Sequence, residues 1–406
     1  MDAVLDGLRV AEVSAFVAAP LCGMTLAQMG ADVIQISPVS GRMDEDRWPQ
    51  TKTGKSLYWA GLNKGKRSIQ LDLSRPEGRE LCAALMAGRP GDGGGVVLTN
   101  LPLKGPMAAE ALRERRPDLI LMRLLGNPDG TPAIDYTVNS AGGLPFITGD
   151  GKTPYNHAVP VWDVVAGLYL VNGLLAAERR RLRTGKGQTI TLSLADAMLA
   201  TLGNLGFLAE AELNATPRPP AGNQIYGAFG RDFPLKDGRR VMVAAITDKQ
   251  FDVLCKATGT RERMATLKRE TGAEIDDEVG RYHARDAISE VLRPWFADRT
   301  LQEVEAAFSG SGVIWGPFQT FQQLLKEDPR CSLQNPLFAR LDQPGIGKHL
   351  APHGPIAFEA MPRQELAPAP ALGEHSEAIL ADVLGLSSGE IGKLFDAGLV
   401  AGVKED

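Results

Sequence analysis

Apolar and polar residues alternate in blocks along the first 125 residues of the chain. Short apolar runs, which are typical of buried strands, are separated by longer segments whose apolar positions have helical spacing. The predicted strands are residues 8–13, 33–36, 68–73, 96–99 and 119–124, and the helices between them include 20–29 and 77–86. Repeated strand–helix–strand units favour a parallel sheet covered by helices, so we predict a Rossmann-like α/β architecture.

The pattern changes after residue 125. Residues 126–160 are rich in Gly, Pro and Asn and predict a loop, after which Trp162 and Asp163 introduce a long apolar helix that Gly185 and Gly187 end. A strand at 189–194 and a helix at 195–212 follow, and 217–222 has the composition of a linker. Beyond it we expect a hairpin over 233–246, helices at 248–258, 286–296 and 301–308, a proline-rich loop over 328–370, and helices near 374–384 and 388–394.

A chain of 406 residues exceeds the roughly 250–300 residues at which single hydrophobic cores stop growing, so we expect two domains. We place the first part of the large domain at 1–215, the smaller α+β domain with its linkers at 216–327, and a return to the large domain at 328–406.

Composition and charge exclude several classes of protein. Apolar residues make up 44% and charged residues 23% of the sequence, a globular rather than a disordered balance. The net charge of −5 gives no electrostatic reason to expect nucleic acid or an anionic membrane as partner. The N-terminus lacks the features of a signal peptide, and no apolar run approaches the length of a membrane span, so we expect a cytoplasmic protein. The four cysteines form no C-x-x-C pair, and we expect them to be reduced.

The common catalytic and phosphate-binding signatures are missing. The sequence has no G-x-G-x-x-G after its first strand, no P-loop, no G-x-S-x-G elbow and no H-E-x-x-H, and its five histidines are scattered. These absences disfavour a dehydrogenase that uses NAD, a hydrolase triad and a metal enzyme. In place of a glycine loop stands the segment 15–20, AFVAAP, whose backbone N–H groups could face a ligand at the carboxyl end of the sheet. The alternative is a loop that Phe16 simply packs.

Asp163 follows a proline-containing turn at the start of the apolar helix. One interpretation is a helix N-cap, which spacing alone favours. The other is a catalytic carboxylate, and the two are compatible because helix N–H donors and the positive end of the dipole keep a carboxylate ionised. An ionised carboxylate can act as a nucleophile.

Several ordered motifs carry a family resemblance. They are DGLRV at 6–10, the Ala19-Pro20 turn, GADVI at 30–34, NKGKRS at 63–68, Asp163 before a helix that ends in TGKGQ at 184–188, and LGEH at 372–375. Together they resemble the class III CoA-transferases over nearly the whole chain. The resemblance implies a Rossmann-like large domain built from both chain ends, a small inserted domain, and a homodimer whose two subunits are threaded through each other.

The resemblance also implies a mechanism. Asp163 matches the family's catalytic aspartate, which attacks the thioester carbonyl to give a mixed anhydride and free CoA thiolate. The thiolate then attacks the aspartyl carbonyl, the acceptor carboxylate opens the resulting aspartyl-CoA thioester, and returning thiolate releases the new acyl-CoA. No metal or organic cofactor is implied, since the CoA thioester is the substrate.

Candidate CoA-binding residues follow from the same match. The positions that correspond to CoA contacts are Phe16, Val17, Ala18, Leu71 and Asn100. Pro38, Ser74 and Leu125 stand where relatives can carry Arg or Lys, so the phosphates would have to be held by Arg42, Lys66, Arg67 or Lys104. For Lys66 and Arg67 the alternative is a solvated strand entrance.

The small domain departs from the family. The glycine run that relatives close over the aspartate is absent, and residues 223–230, with Tyr226, are the nearest substitute. Tyr226 and Phe229 could form a bulkier cover, or they could belong to the core of the small domain.

Four functions compete within this fold. We expect CoA transfer, either within one dicarboxylic acid or between two acids. A racemase would place a histidine in the loop after the fourth βα unit, and residues 126–139 contain none. A noncatalytic acyl-CoA-binding protein would lack the nucleophile, so Asp163 argues against it.

Overall fold

The computed structural model describes residues 3–215 and 217–403. Its strands are β1 (Arg9–Val13), β2 (Asp32–Pro38), β3 (Arg67–Leu71), β4 (Val96–Thr99), β5 (Ile120–Leu125), β6 (Gln188–Ser193), β7 (Phe229–Pro234), β8 (Arg240–Ala245), β9 (Ile314–Pro317), β10 (Phe338–Gln343), β11 (Gly347–Pro352) and β12 (Val400–Ala401).

The helices alternate with these strands. They are α1 (Ala18–Gln28), α2 (Leu57–Leu62), α3 (Pro76–Ala87), α4 (Ala109–Arg115), α5 (Asp135–Ala141), α6 (Leu144–Ile147), α7 (Val161–Thr184), α8 (Leu194–Asn204), α9 (Phe207–Asn214), α10 (Asp248–Ala257), α11 (Arg261–Thr271), α12 (Glu278–His283), α13 (Arg285–Ala297), α14 (Leu301–Phe308), α15 (Phe321–Glu327), α16 (Ser376–Ile379) and α17 (Ser388–Asp396). Short 3₁₀ turns lie at Gly105–Met107 and Pro329–Cys331, and α16 continues as a π-helical turn over Leu380–Leu384.

The main sheet has the strand order β12-β3-β2-β1-β4-β5-β6 within the described residues. The six strands from β3 to β6 in that order pair in parallel, and only β12 joins antiparallel, against β3. The order 3-2-1-4-5-6 is that of doubly wound dinucleotide-binding folds. Strands buried on both faces appear as continuous apolar runs, which is why the sequence pattern located them. The predicted α/β fold with a parallel central sheet is confirmed.

The C-terminal end of the chain packs onto this sheet. Ile379, Leu380 and Val383 are buried in one cluster with Ile69 of β3 and Met86 of α3. The LGEH motif lies at the start of this segment. There the His375 N–H donates to the Ser68 carbonyl at 2.9 Å, and the Ser68 N–H lies 3.2 Å from His375 Nδ1. The motif therefore fastens the end of the chain to β3.

A second group of elements has its own core. The antiparallel sheet β7-β8-β9 packs with α10 to α14 around apolar side chains. Phe233 of β7 stacks on Phe296 of α13 with ring centroids 4.3 Å apart. The predicted hairpin is present as β7 and β8, and its turn includes Asp237 and Gly238.

The structure corrects several predicted segments. Residues 126–160 contain α5 and α6, 195–212 is two helices, and the proline-rich loop contains the hairpin β10–β11. The elements β9, α11, α12 and α15 were also not predicted. These elements are short or largely polar, so tertiary contacts rather than apolar periodicity decide them.

By contacts between residues, the chain divides into two compact units. One contains 1–142, 157–210 and 329–406, and the other contains 143–156 and 211–328. Whether they correspond to domains with the boundaries given above stays a prediction.

The helix α7 is long and apolar enough to cross a membrane by length and composition alone. The core helix of a soluble protein passes the same test, and Ala166, Leu170 and Leu174 of α7 are fully buried. The helix is therefore weak evidence for a membrane span.

Candidate active site

The sheet reverses its order of strands at β1, whose neighbours are β2 and β4. Ligands of doubly wound sheets bind at the carboxyl ends of the strands where this reversal occurs. Two hydrogen bonds join the chain there: the Ala15 N–H donates to Asn100 Oδ1 at 2.9 Å, and Asn100 Nδ2 donates to the Ala15 carbonyl at 2.8 Å. Asn100 therefore fixes the loop after β1, and its side-chain amide is already occupied by that backbone.

Phe16 is the next residue of this loop and has a φ of +69°. A non-glycine side chain in this left-handed region is strained, and such strain tends to cluster at functional sites. The Phe16 N–H donates to Asp44 Oδ2 at 3.1 Å, which holds the conformation. Val17 then caps α1 without a side-chain hydrogen bond, and Ala18 is its first residue. The three loop positions predicted from the sequence thus lie together at the carboxyl edge.

Asp163 lies in the first turn of α7, as its third residue. Gly167 is one turn further along the same face. A Cβ atom on Gly167 would lie only 2.8 Å from the Ala18 carbonyl oxygen, so the start of α1 and the first turns of α7 are in direct contact. Asp163 and the loop after β1 are therefore neighbours in the fold, although about 145 residues separate Asp163 from Ala18 in sequence.

Asp135, the first residue of α5, accepts hydrogen bonds from the backbone N–H groups at the start of α7. Its Oδ2 accepts the N–H groups of Trp162 at 2.6 Å and Asp163 at 3.1 Å, and its Oδ1 lies 2.5 Å from Nε2 of His157. The Asp135 side chain is only 2% exposed. The interpretation of Asp163 as an N-cap is wrong, because Pro160 is the capping residue and Asp135 accepts the helix N–H donors.

The electrostatics of Asp163 also correct an expectation. Burial, and then the negative charge of Asp135, raise the pKa of Asp163 to about 7, while Arg47 lowers it. Helix amides were expected to keep this carboxylate ionised, but they are bonded to Asp135 instead. A carboxylate with a pKa near 7 is a stronger base than an ordinary carboxylate and hence a better nucleophile once it is ionised.

Three of the four candidate phosphate ligands form ion pairs within the protein: Arg42, Lys66 and Arg67. Arg42 forms two 2.8 Å hydrogen bonds with the Asp44 carboxylate. Lys66 Nζ is fully buried and lies 2.9 Å from Glu12, the Pro20 carbonyl and Asn63 Oδ1. All three ammonium donors of Lys66 are used, so its assignment to the phosphates is corrected to a structural role.

The candidates Arg67 and Lys104 lie at opposite edges of the sheet. Arg67 is the first residue of β3 and pairs with Asp32 at 2.6 Å and Asp382 at 3.1 Å, at the amino edge. This position corrects its assignment as well, because the loop after β1 lies at the carboxyl edge. Lys104 follows β4 at the carboxyl edge and is exposed. Lys104 therefore stays a predicted phosphate ligand, and so does Arg42, which donates to the Ser14 carbonyl beside the loop after β1.

Leu71 and Tyr226 complete the predicted set. Leu71 ends β3, and its side chain is fully buried in the core. Tyr226 is 39% exposed and packs in the second unit against Tyr282, with ring centroids 5.2 Å apart, and beneath Arg218. Phe229 is completely buried in the core of that unit, which is the second of the two alternatives for this residue.

Sequence reasoning missed four residues around Asp163: Asp135, His157, Arg47 and Tyr58. The charges of Arg47 and Asp163 both act on the Tyr58 hydroxyl, whose pKa burial raises to about 12. None of the four stands in a recognisable local motif. Among residues 3–215 and 217–403, no group of three or more His, Cys, Asp or Glu side chains could hold a metal ion.

A half-buried carboxylate of raised pKa beside a strained loop at the switch point of a doubly wound sheet suits covalent acyl transfer. The family model "CoA-transferase family III" matches residues 5–376. The chain therefore belongs to CoA-transferase family III and is an enzyme of that family. A solved CAIB/BAIF family protein from Brucella suis is similar in fold, with 27% identity, a TM-score of 0.76, and coverage of 94% of this chain and 100% of that one.

Two relatives show which members of the family the chain resembles. The chain is 50% identical over 405 residues, 99% of each protein, to 2-methylfumaryl-CoA isomerase of Chloroflexus aurantiacus. It is 30% identical over 417 residues, 96% of each protein, to succinyl-CoA–D-citramalate CoA-transferase of the same organism.

Proposed function

We propose that the protein isomerises 2-methylfumaryl-CoA (mesaconyl-CoA) by moving CoA between the C1 and C4 carboxyls of one mesaconate. The observation that carries the proposal is the 50% identity to an isomerase over 99% of both chains. Four segments that resemble such an isomerase beyond the family pattern support it: residues 14–21, 23–28, 59–67 and 226–233. The alternative, transfer between two dicarboxylic acids, has the support of the more distant transferase relative.

The proposed chemistry runs through Asp163. Its ionised carboxylate attacks the C1 thioester carbonyl and expels CoA thiolate, which gives a mixed anhydride. The thiolate attacks the aspartyl carbonyl of this anhydride and releases mesaconate, which leaves an aspartyl-CoA thioester. The C4 carboxylate then attacks that thioester and expels thiolate again, and the thiolate attacks the C4 carbonyl of the new anhydride. Mesaconyl-C4-CoA leaves and Asp163 is ionised once more.

Retention of the free acid distinguishes the isomerase from the intermolecular transferase. An acid held beside the aspartyl-CoA thioester attacks at high effective concentration, whereas an external acid must first enter and lose its hydration. Incubation of mesaconyl-C1-CoA with isotopically labelled free mesaconate measures this directly. We expect C4-CoA to form without label, and entry of label at a rate comparable with isomerisation would favour the intermolecular alternative.

Removal of the nucleophile tests the role of Asp163. We expect Asp163→Ala to lose turnover by several orders of magnitude while the circular dichroism spectrum is retained. Activity within about tenfold of the parent enzyme would exclude Asp163 as the nucleophile.

The assembly is part of the proposal. The family resemblance implies a threaded homodimer. Because threaded subunits cannot separate unless one of them opens, the dimer should persist in solution. Light scattering at micromolar concentration should therefore give twice the chain mass of 43.5 kDa, and a monomer would contradict the threaded arrangement.

A further inference from the structure

Arg47 is an exposed arginine held between two aromatic rings. Its guanidinium carbon lies 5.4 Å from the ring centroid of Phe16 and 5.4 Å from that of Tyr58. Its main chain is also fixed, because its carbonyl accepts the Ser56 hydroxyl at 2.6 Å. Aromatic faces orient a guanidinium while leaving its N–H donors free for a planar anion.

Among residues 3–215 and 217–403, Arg47 forms no ion pair and no side-chain hydrogen bond, and its charge acts on Asp163 only at longer range. The nearby Asp44 carboxylate is bonded to Arg42 through both oxygens and to the Phe16 N–H, and it forms no ion pair with Arg47. Arginine at a ligand site is suited to bidentate recognition of a carboxylate. A prearranged, unpaired guanidinium therefore offers a binding position for an anion that the protein itself does not supply.

Arg47 also stands next to the reacting carboxylate. Phe16, against which it packs, is two residues before Ala18, and the Ala18 carbonyl touches α7 at Gly167, one turn after Asp163. Arg47 is moreover the cation that lowers the pKa of Asp163. Arg47 and Asp163 are therefore placed to bind one short substrate, with a carbonyl at Asp163 and an anionic group at Arg47.

We infer that Arg47 binds the free carboxylate of the dicarboxylyl group, and so selects dicarboxylyl-CoA over monocarboxylyl-CoA substrates. This inference deepens the proposed function and rests on it for the identity of the acid. In mesaconyl-C1-CoA, Arg47 holds the C4 carboxylate while Asp163 attacks C1. After the acid is released as a dianion, Arg47 retains it by its charge. When the C4 carboxylate attacks the aspartyl-CoA thioester, the C1 carboxylate takes its place on Arg47, so one residue serves both half-reactions.

The test compares binding of mesaconyl-C1-CoA with that of (E)-2-methylbut-2-enoyl-CoA, in which a methyl group replaces the free carboxylate. Calorimetric titration on the Asp163→Ala background avoids turnover. We expect mesaconyl-C1-CoA to bind more tightly by about 10- to 100-fold, the effect of a charge-assisted hydrogen bond, and expect Arg47→Gln to bring the two dissociation constants within about twofold. Arg47→Lys should restore part of the preference, because it keeps the charge without the planar donors.

Arg183→Gln is the matched control. Arg183 is an exposed arginine on the same helix as Asp163, about 30 Å away at 1.5 Å per residue, so its loss should leave the preference unchanged. Equal weakening of both ligands by Arg47→Gln, or no preference before the substitution, would overturn the inference. The proposed function is read separately, from C4-CoA formation by the parent enzyme. If the parent enzyme forms no C4-CoA, the proposed isomerisation is refuted. If Arg47→Gln nevertheless removes the preference for mesaconyl-C1-CoA, the role of Arg47 in binding the free carboxylate stands.

Discussion

Asp135→Asn tests how the protein sets the ionisation of Asp163, the proposed nucleophile. The Asp135 carboxylate is buried, accepts the amides at the start of α7, and is the second cause, after burial, of the raised pKa of Asp163. Asparagine has nearly the same shape and keeps an oxygen for those amides. The substitution therefore removes the negative charge while the helix end stays satisfied.

The size of the effect follows from the pKa of Asp163. Its rise from 3.8 to about 7 is roughly 3 units and corresponds to about 4 kcal/mol against the ionised form. Burial is the larger cause and is unchanged, so we expect the pKa to fall on the order of one unit. Since only the ionised carboxylate attacks, kcat/KM of the parent should rise with pH through a half-point near 7, and in Asp135→Asn that half-point should lie lower.

The assay is kcat/KM for isomerisation of mesaconyl-C1-CoA across the range from about pH 5 to about pH 9, which brackets the expected half-points. Asp129→Asn, which removes an exposed acid in the same connecting segment, should leave the profile in place. A half-point that does not move in Asp135→Asn, or that moves to higher pH, would refute the electrostatic link.

Three further predictions concern stability. Asp163 binds a proton more tightly in the folded protein than in the unfolded chain, so its ionisation destabilises the fold. Asp163→Asn should therefore be more stable than the parent above pH 7, by on the order of 2 kcal/mol after allowance for solvent screening. In urea titrations this difference should vanish near pH 4. Gly167→Ala should lower the free energy of unfolding by about 1–3 kcal/mol, because the added Cβ would meet the Ala18 carbonyl. In the control Gly203→Ala the nearest atom to the added Cβ is 3.8 Å away, so the stability should not fall. Lys66→Met should lower the free energy of unfolding by about 3–5 kcal/mol, because it leaves Glu12 buried without its partner. The double variant with Glu12→Gln and Lys66→Met should recover much of that stability. Equal losses in the single and double variants would contradict this explanation.

The sequence was sufficient for the central sheet, and it singled out Asp163 as the candidate nucleophile. Strands buried on both faces, such as β1 and β4, appear as apolar runs whatever surrounds them, because burial requires apolar side chains. Asp163 could be singled out because a helix start and a family motif are local features of the chain. The strand order and the position of the loop after β1 at the switch point then follow from general rules for such folds.

The surroundings of Asp163 were decided by the tertiary structure alone. Asp135 and Arg47 act on Asp163 from separate segments, and His157 in turn bonds to Asp135. Nothing in their local sequence distinguishes these three residues from surface charges. Lys66 and Arg67 show the opposite case. Their basic sequence is typical of a phosphate site, but in the fold Lys66 pairs with Glu12 and Arg67 pairs with Asp32. The physical reason is common to both: the pKa and availability of a charged group depend on burial and on charges within a few ångströms, and those neighbours are set by long-range packing rather than by sequence proximity.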